Sequence, residues 1–402
     1  MERYISGKPV CNAKDILKDG QDYILIIDEG CFSQLVEIRA KAPVAVLSDY
    51  SLAFSHIPSY LQMFSIPLFF IPESRNRTYT TYYEETHSIA DNIRTKAIIS
   101  LEDMRGLDSI VIDTLYNIVY SMDINKLPSI NTEAIGSIEN FKVRMSVKSK
   151  NEVAFTAFDA DGIGTIFTEF LFFDDFEYPS YGVQRDVLES IFVKNQSAGY
   201  TVRLFDINHD KVPKWLQGVK LGNYNHPLFE KFFRQYLDEQ LRCLCDLSRK
   251  YPISILVPYV KNLGDIKYIR KCIDECASPN RNRVKVGSMV ETVDMIKEMQ
   301  NIASEVDFFS VGANDLVHSF FEMGRVNSFT QDQMARVLSD NRFWTLLADV
   351  RQLAGETPIR MGGQLPIYPE ALKRLVELGY NQFTVSPQWV RQIKYQLINP
   401  II

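Results

Sequence analysis

Two carboxylates stand where a divalent cation could use them. The run Val284–Val290 reads as a strand and finishes at Glu291, and the strand-like run Phe308–Val311 leads into Gly312-Ala313-Asn314-Asp315. On neighbouring parallel strands, Glu291 and Asp315 would open at the same end. Mg2+ is usually held by one or two carboxylates with water and substrate oxygens, and Asn314 adds a neutral group beside them. The alternative is that Asp315 caps a helix and Glu291 is a solvated loop residue. Arg203 lies in the strand-like run Thr201–Phe205, followed by Asp206, Asp210 and Lys211, and Arg325 lies ten residues beyond Asp315. The planar fork of arginine suits phosphate and carboxylate, although each, taken singly, also fits a surface charge. Ser55-His56 opens a helix-like stretch after a strand. A histidine there can attack phosphorus, or can be an ordinary residue behind a capping serine. His87, His209, His226 and His318 show no pair spacing and read as structural, with His318 the one that could reach the same site.

The elements that would carry these groups fall into three textures. Up to about residue 75, strand-like Tyr23–Ile27, Val44–Leu47 and Ile66–Ile71 alternate with helix-like Ser33–Lys41 and Ile57–Phe64, the spacing of a small parallel sheet covered by helices. Over 76–134 the chain is polar and then apolar at Ile110, Val111, Leu115, Ile118 and Val119, which predicts a connector helix. From about 135 to 402 a strand-then-helix unit repeats. Strands are expected at Phe141–Val147, Thr201–Phe205, Ser254–Val257, Val284–Val290, Phe308–Val311, Ile359–Met361 and Gln382–Val385, with helices at Pro227–Lys250, Asp265–Cys276, Thr292–Ala303 and Tyr368–Leu378. That length and rhythm predict an α/β protein with a (β/α)8 TIM-type barrel, whose chemistry belongs at the C-terminal ends of its strands.

Composition narrows the class further. The chain has 402 residues, 46% hydrophobic and 12% aromatic, enough to bury large cores, and a net charge of −6 that argues against a nucleic-acid surface. The apolar stretches are short of the roughly 20 residues of a membrane helix, and Met1–Asp15 does not read as a signal peptide. Six cysteines, among them Cys243/Cys245 and Cys272/Cys276 without paired histidines, favour reduced thiols in a cytoplasmic protein over zinc or a disulfide scaffold.

Longer motifs give these residues a context. Asp161-Gly-Ile-Gly-Thr-Ile-Phe-Thr-Glu-Phe-Leu-Phe172 resembles D-G-I-G-L-x-R-T-E-F-L-F, and Val306-Asp-Phe-Phe-Ser-Val-Gly-Ala-Asn-Asp-Leu316 resembles V-D-F-F-S-I-G-T-N-D-L. Arg203-Leu-Phe-Asp-Ile-Asn-His-Asp-Lys211 is similar to R-T-x-D-I-G-G-D-K, and Phe54-Ser-His56 with Ser65-Ile-Pro67 is similar to T-S-H…G-I-P. These are motifs of the phosphoenolpyruvate-utilising enzymes, which include enzyme I of the bacterial sugar phosphotransferase system, phosphoenolpyruvate synthase and pyruvate phosphate dikinase. The likeness covers about 22–72 and 138–390. It implies a swivelling phosphohistidine domain over 1–75, a helical linker over 76–134 and a phosphoenolpyruvate-binding barrel over 135–402. It also implies attack by His56 on the phosphoryl group, Mg2+ on Glu291 and Asp315, and Arg203, Asn314 and Arg325 on phosphate and carboxylate. A phosphoryl acceptor, protein or small molecule, and a homodimer are implied by the same analogy.

The departures from the motifs matter equally. The arginine of G-L-x-R-T-E-F is Phe167, and the arginine of a G-x-R segment is missing where Leu221-Gly-Asn-Tyr-Asn-His226 stands. M-C-G-E-L, whose cysteine gives a proton to the enolate, reads Met361-Gly362-Gly363-Gln364-Leu365. An arginine that stabilises a transferring phosphoryl group is worth about 10³ to 10⁵ in rate. Three readings follow. The first is a Mg2+-dependent phosphotransferase with reduced or redirected activity. The others are a pseudoenzyme with a binding or regulatory role, and a different Mg2+-enolate reaction, such as a lyase acting on another keto acid.

Overall fold

The computed structural model describes residues 4–10, 22–27, 42–49, 61–64, 66–71, 97–98, 110–113, 118–120, 135–150, 159–195, 197–207, 212–216, 231–276, 283–323 and 331–398. The chain divides into two compact units. One comprises Met1–Ile135, Asn327–Arg336 and Arg391–Ile402, the other Gly136–Val326 and Val337–Val390. Among the described residues, no helix is long and apolar enough to cross a membrane.

The first unit holds a sheet of seven strands: β1 (Tyr4–Val10), β2 (Tyr23–Ile27), β3 (Ala45–Asp49), β4 (Leu68–Ile71), β5 (Ala97–Ile98), β6 (Ile110–Asp113) and β7 (Ile118–Tyr120). Their spatial order is β4-β3-β2-β1-β6-β7-β5. From β1 to β4 neighbours run parallel, as expected from the alternation of elements. All five residues of β2, Tyr-Ile-Leu-Ile-Ile, are buried, the continuous apolar run of a strand covered on both faces. The helix expected over Ile110–Val119 is not found at its described residues. Ile110–Asp113 and Ile118–Tyr120 are instead antiparallel strands, with Ile112 opposite Val119. Short runs rich in β-branched residues pack well on a pleated surface, and two of them a few residues apart in sequence imitate helical spacing. The part of 76–134 that is described is therefore sheet, not helical linker. β1 escaped the sequence reading because Gly7 and Pro9 interrupt its apolar alternation.

The second unit is a closed barrel of eight parallel strands: β8 (Lys142–Val147), β9 (Ile163–Phe167), β10 (Tyr200–Arg203), β11 (Ile253–Val257), β12 (Lys285–Val290), β13 (Phe308–Gly312), β14 (Ile359–Gly362) and β15 (Gln382–Val385). They pair in sequence order, and β15 closes onto β8 with Thr384 opposite Arg144. The helices are α1 (Thr168–Leu171), α2 (Tyr181–Lys194), α3 (Lys231–Leu247), α4 (Leu263–Glu275), α5 (Val293–Ala303), α6 (Ala313–Phe320), α7 (Gln331–Ser339), α8 (Asn341–Leu353), α9 (Pro369–Glu377) and α10 (Pro387–Ile398); α3, α4, α5 and α9 lie where the sequence predicts helices, and the residues of α7 and α10 are divided between the two units. Asn262 and Asp265 form a capping box at α4, and Thr292 caps α5.

Alternation along the strands sets what lines the lumen. On β8, Val143, Met145 and Val147 are buried on the helix side, so Arg144, Ser146 and then Lys148 face inward. The lumen is partly apolar, with Leu256, Met289 and Phe308 clustered, and partly charged. Arg360 of β14 reaches across to β10, donating from Nη1 to Thr201 Oγ1 at 2.8 Å, with its Cζ 4.1 Å from the Phe308 ring centroid. Burial, and then the nearby Arg144 guanidinium, pull Arg360 down to about 10. A base whose charged form is disfavoured in the folded chain subtracts stability at neutral pH, and the penalty is relieved only as pH rises through about 10 toward the unfolded value. Arg360→Met is therefore expected to keep or raise the urea-unfolding midpoint at pH 7. A loss as large as a buried Leu→Ala truncation, about 2–5 kcal/mol, would show that the Thr201 bond and the Phe308 contact outweigh the buried charge.

Candidate active site

The C-terminal strand ends gather charged side chains that are almost fully buried: Lys148 after β8, Glu169 after β9, Arg203 on β10 with Asp206 beyond it, and Glu291 after β12. Charged residues are rarely buried unless paired, and these are organised around Arg203. Its Nη2 bonds to Glu169 Oε1 and, at 3.1 Å, to Asp206 Oδ2. Its Nη1 lies 3.5 Å from Met289 Sδ, and its Cζ lies 4.5 Å from the Phe167 ring centroid. Burial alone would pull the guanidinium down, but Glu169, Asp206 and Glu291 outweigh it and hold Arg203 above its ordinary value. The strand end beneath is fixed by a buried chain of hydrogen bonds. Thr168 Oγ1 donates to the Arg203 carbonyl at 2.9 Å, Gln240 Nε2 of α3 donates to Thr168 Oγ1 at 3.0 Å, and Gln240 Oε1 accepts the Phe205 N–H at 3.1 Å.

The acidic half of the mouth spans β11 to β14. Glu291, with no exposed surface, is no solvated loop residue. Its Oε1 accepts the backbone N–H of Tyr259, a residue held in the left-handed region at φ 47°. The Tyr259 hydroxyl in turn donates to Asp315 Oδ1 at 3.4 Å, so one residue touches both carboxylates. Asp315 sits in the first turn of α6, whose N-cap is Gly312, and is not itself the cap. Gly312 makes room for the acid: a Cβ there would lie 3.0 Å from Glu291 Cβ and 3.3 Å from Glu291 Oε2. Asn314 Oδ1 accepts the Gln364 N–H at 2.9 Å. Gly363, at φ +95°, permits this approach, since a Cβ would meet Asn314 Oδ1 at 2.6 Å. With its oxygen engaged, the Asn314 amide has N–H donors for an anionic ligand.

Arg203, Glu291, Asn314 and Asp315 are thus all at the barrel mouth. His56 and Arg325 lie outside the described residues. His318 is buried one turn after Asp315 on α6. Among the described residues no cluster of three or more His, Cys, Asp or Glu side chains could hold a metal by itself. Two hard carboxylates joined through Tyr259 nevertheless fit Mg2+, which takes its remaining positions from water and substrate oxygens. The sequence reading did not single out Glu169, Lys148 or Tyr259 as site residues. For Lys148 the alternation along β8 was a usable signal; for Glu169, 34 residues from its partner, the signal was the T-E-F of the motif that contains it.

Residues 125–400, more than half of the chain, match the family described as PEP-utilising enzyme, PEP-binding domain. The chain belongs to this family. It is 26% identical over 256 residues to a phosphoenolpyruvate-protein phosphotransferase of Haemophilus influenzae, covering 60% of this chain and 44% of that one. It is 25% identical over 254 residues to the protein of the same name in Bacillus subtilis, covering 59% and 44%. To an Escherichia coli protein named phosphoenolpyruvate-dependent phosphotransferase system it is 25% identical over 256 residues, covering 59% and 33%. The chain spans less than half the length of these curated relatives.

Two positions that the motif comparison marks as departures fall at the mouth: Phe167 ends β9 level with Arg203 on β10, and Gly362 ends β14 opposite Gly312 on β13. Breaking a buried ion pair from one side costs about 3–5 kcal/mol because it strands the other charge. Glu169→Gln is expected to lower unfolding stability, and Arg203→Met likewise. The double variant should lose clearly less than the two together, as chemical denaturation in a double-mutant cycle would read. Additive losses would mean that the pair does not couple.

Proposed function

We propose that the barrel mouth binds phosphoenolpyruvate or a closely related keto-acid ligand together with Mg2+, and that His56 takes the phosphoryl group for transfer to an acceptor protein or small molecule. The observation that carries this reading is the buried Arg203, held by Glu169 and Asp206, at the same mouth as the Glu291 and Asp315 carboxylates. Phosphoryl transfer needs positioning and charge neutralisation more than covalent work by the barrel.

Each group has a defined task. Arg203 and the Asn314 amide orient ligand oxygens, and Arg325 adds a second guanidinium by the family pattern. Glu291 and Asp315 hold Mg2+, which when bound supplies positive charge to the phosphate and enolate oxygens. The neutral His56 imidazole donates its lone pair to phosphorus as the bridging P–O bond breaks and its electrons pass to the enolate oxygen. The enolate carbon then needs a proton. Gly362 offers no side chain to deliver it, so protonation falls to water and release of pyruvate is slow.

Phe167 and Gly362 support a second reading, a binding or regulatory barrel that keeps the pocket without turnover. Intact-mass spectrometry separates the two. After incubation with phosphoenolpyruvate and Mg2+ at mildly alkaline pH, the wild type should gain one phosphoryl mass and His56→Ala none. No gain, with the ligand still bound, favours the binding barrel. Asp315→Ala should weaken Mg2+ at least tenfold by calorimetry while the fold persists. Unchanged affinity would remove Asp315 from the metal site.

A further inference from the structure

We propose that the N-terminal end of the barrel holds an anion site, in which Arg360 and Arg144, with the Gln382 amide between them, bind a tetrahedral oxyanion of the phosphate class. The site lies at the opposite end of the strands from the mouth, and it does not depend on what the mouth binds.

Register brings the two guanidinium groups together. Met361 of β14 pairs with Phe383 of β15, so one step back Arg360 stands level with Gln382 at the start of β15. Arg144 belongs to β8, opposite Thr384, and its side chain turns back toward the strand starts, where its Nη1 donates to Gln382 Oε1 at 3.0 Å. Both arginines therefore flank Gln382. With its oxygen taken, that amide has N–H donors to offer. Alternation adds two more cations to the same end. Lys142 shares the inward face of β8 with Arg144, and Lys285 shares that of β12 with Gly287, where a Cβ would meet the Phe308 ring. Both lysines are exposed.

The arrangement is short of negative charge. Arg360 spends Nη1 on Thr201 Oγ1 at 2.8 Å, and its Cζ lies over the Phe308 ring, 4.1 Å from the centroid. Stacking on a ring leaves the in-plane N–H groups of a guanidinium available. Among the described residues the buried Nε of Arg360 has no hydrogen-bond partner, and no carboxylate pairs with this side chain. Asp161 acts on Arg144, but its oxygens already accept the Val143 N–H at 2.8 Å and the Ser137 hydroxyl at 3.2 Å. Thr384, opposite Arg144, has a buried hydroxyl that is likewise without a hydrogen-bond partner among the described residues. A largely buried cation without a counterion is costly, and a bound anion removes that cost. The Nε and Nη2 edge of a guanidinium is a fork matched to two oxygens of one ligand. A phosphate-type ion therefore fits this edge better than a halide, which has no second atom to engage.

The test is calorimetric titration of the full chain with inorganic phosphate in Mg2+-free buffer, repeated with chloride at matched ionic strength. The wild type should bind phosphate, and chloride at least tenfold more weakly. Arg360→Met should weaken phosphate at least tenfold, whereas Asn314→Ala, at the mouth, should leave it within twofold. Urea unfolding gives an independent readout, since a ligand of the folded state stabilises it. Phosphate should raise the wild-type midpoint and leave that of Arg360→Met unchanged. Arg360→Lys keeps the charge and loses the fork, so it too should lose most of the affinity, and it replaces Arg360→Met if that variant does not fold. Glycerol phosphate run beside inorganic phosphate tells the two sources apart: tighter binding of the ester assigns the site to a phosphate ester, and equal or weaker binding to the free ion. Absence of phosphate binding by the wild type, equal affinities of the wild type and a folded Arg360 variant, or equal responses to phosphate and chloride each overturn the proposal. So does a tenfold loss in Asn314→Ala, which would move the phosphate to the mouth.

Discussion

The Arg203 guanidinium is taken out of water and carboxylates follow it, and the mouth of this barrel is arranged around that pairing. Arg203 is buried, and its two carboxylates come from different places, Glu169 from α1 after β9 and Asp206 from the chain beyond β10. An isolated buried charge would cost several kcal/mol, so both segments must be drawn inward for the strand end to close. Once they are, Thr168 and Gln240 have a fixed carbonyl and N–H to bind, and α3 is locked against the same strand. Packing, polar satisfaction and the presentation of charge are one arrangement here.

The charge balance that results is uneven. Among the described residues the mouth carries the carboxylates of Glu169, Asp206, Glu291 and Asp315 against the cations Lys148 and Arg203. An anion approaching such a surface meets repulsion unless a divalent cation enters with it, and at short range these terms are large because water is excluded. The two halves are spatially sorted as well. Both cations lie against Phe167 on the β8 to β10 side, and Glu291 and Asp315 lie on the β11 to β13 side with Tyr259 between them. An anionic ligand laid across the mouth would meet cations at one end and two carboxylates at the other.

Much of this architecture is written locally in the chain. Strands such as Ile253–Val257 and Phe308–Gly312 are short apolar runs between helices, and parallel strands covered on both sides have to look that way. β9 does not: Ile-Gly-Thr-Ile-Phe is brief and interrupted, and a register shift between Met145 and Ser146 adjusts it to β8. In the first unit, Ile110–Asp113 and Ile118–Tyr120 owe their strand form to β1 and to each other, partners that periodicity does not reveal. The acids at the strand ends were legible because they follow strands directly. Glu169 was legible only as part of its motif, because its pairing with an arginine on another strand is not written locally.

Tyr259 gives the two acids unequal roles in the fold. Glu291 is fully buried and holds the N–H of a left-handed residue, so its loss would disturb the turn after β11 whether or not any ligand is present. Asp315 is half-buried, and its contact with the Tyr259 hydroxyl is long, at 3.4 Å. The fold therefore leans on Glu291 through the Tyr259 turn, whereas the contact between Tyr259 and Asp315 asks little of the backbone.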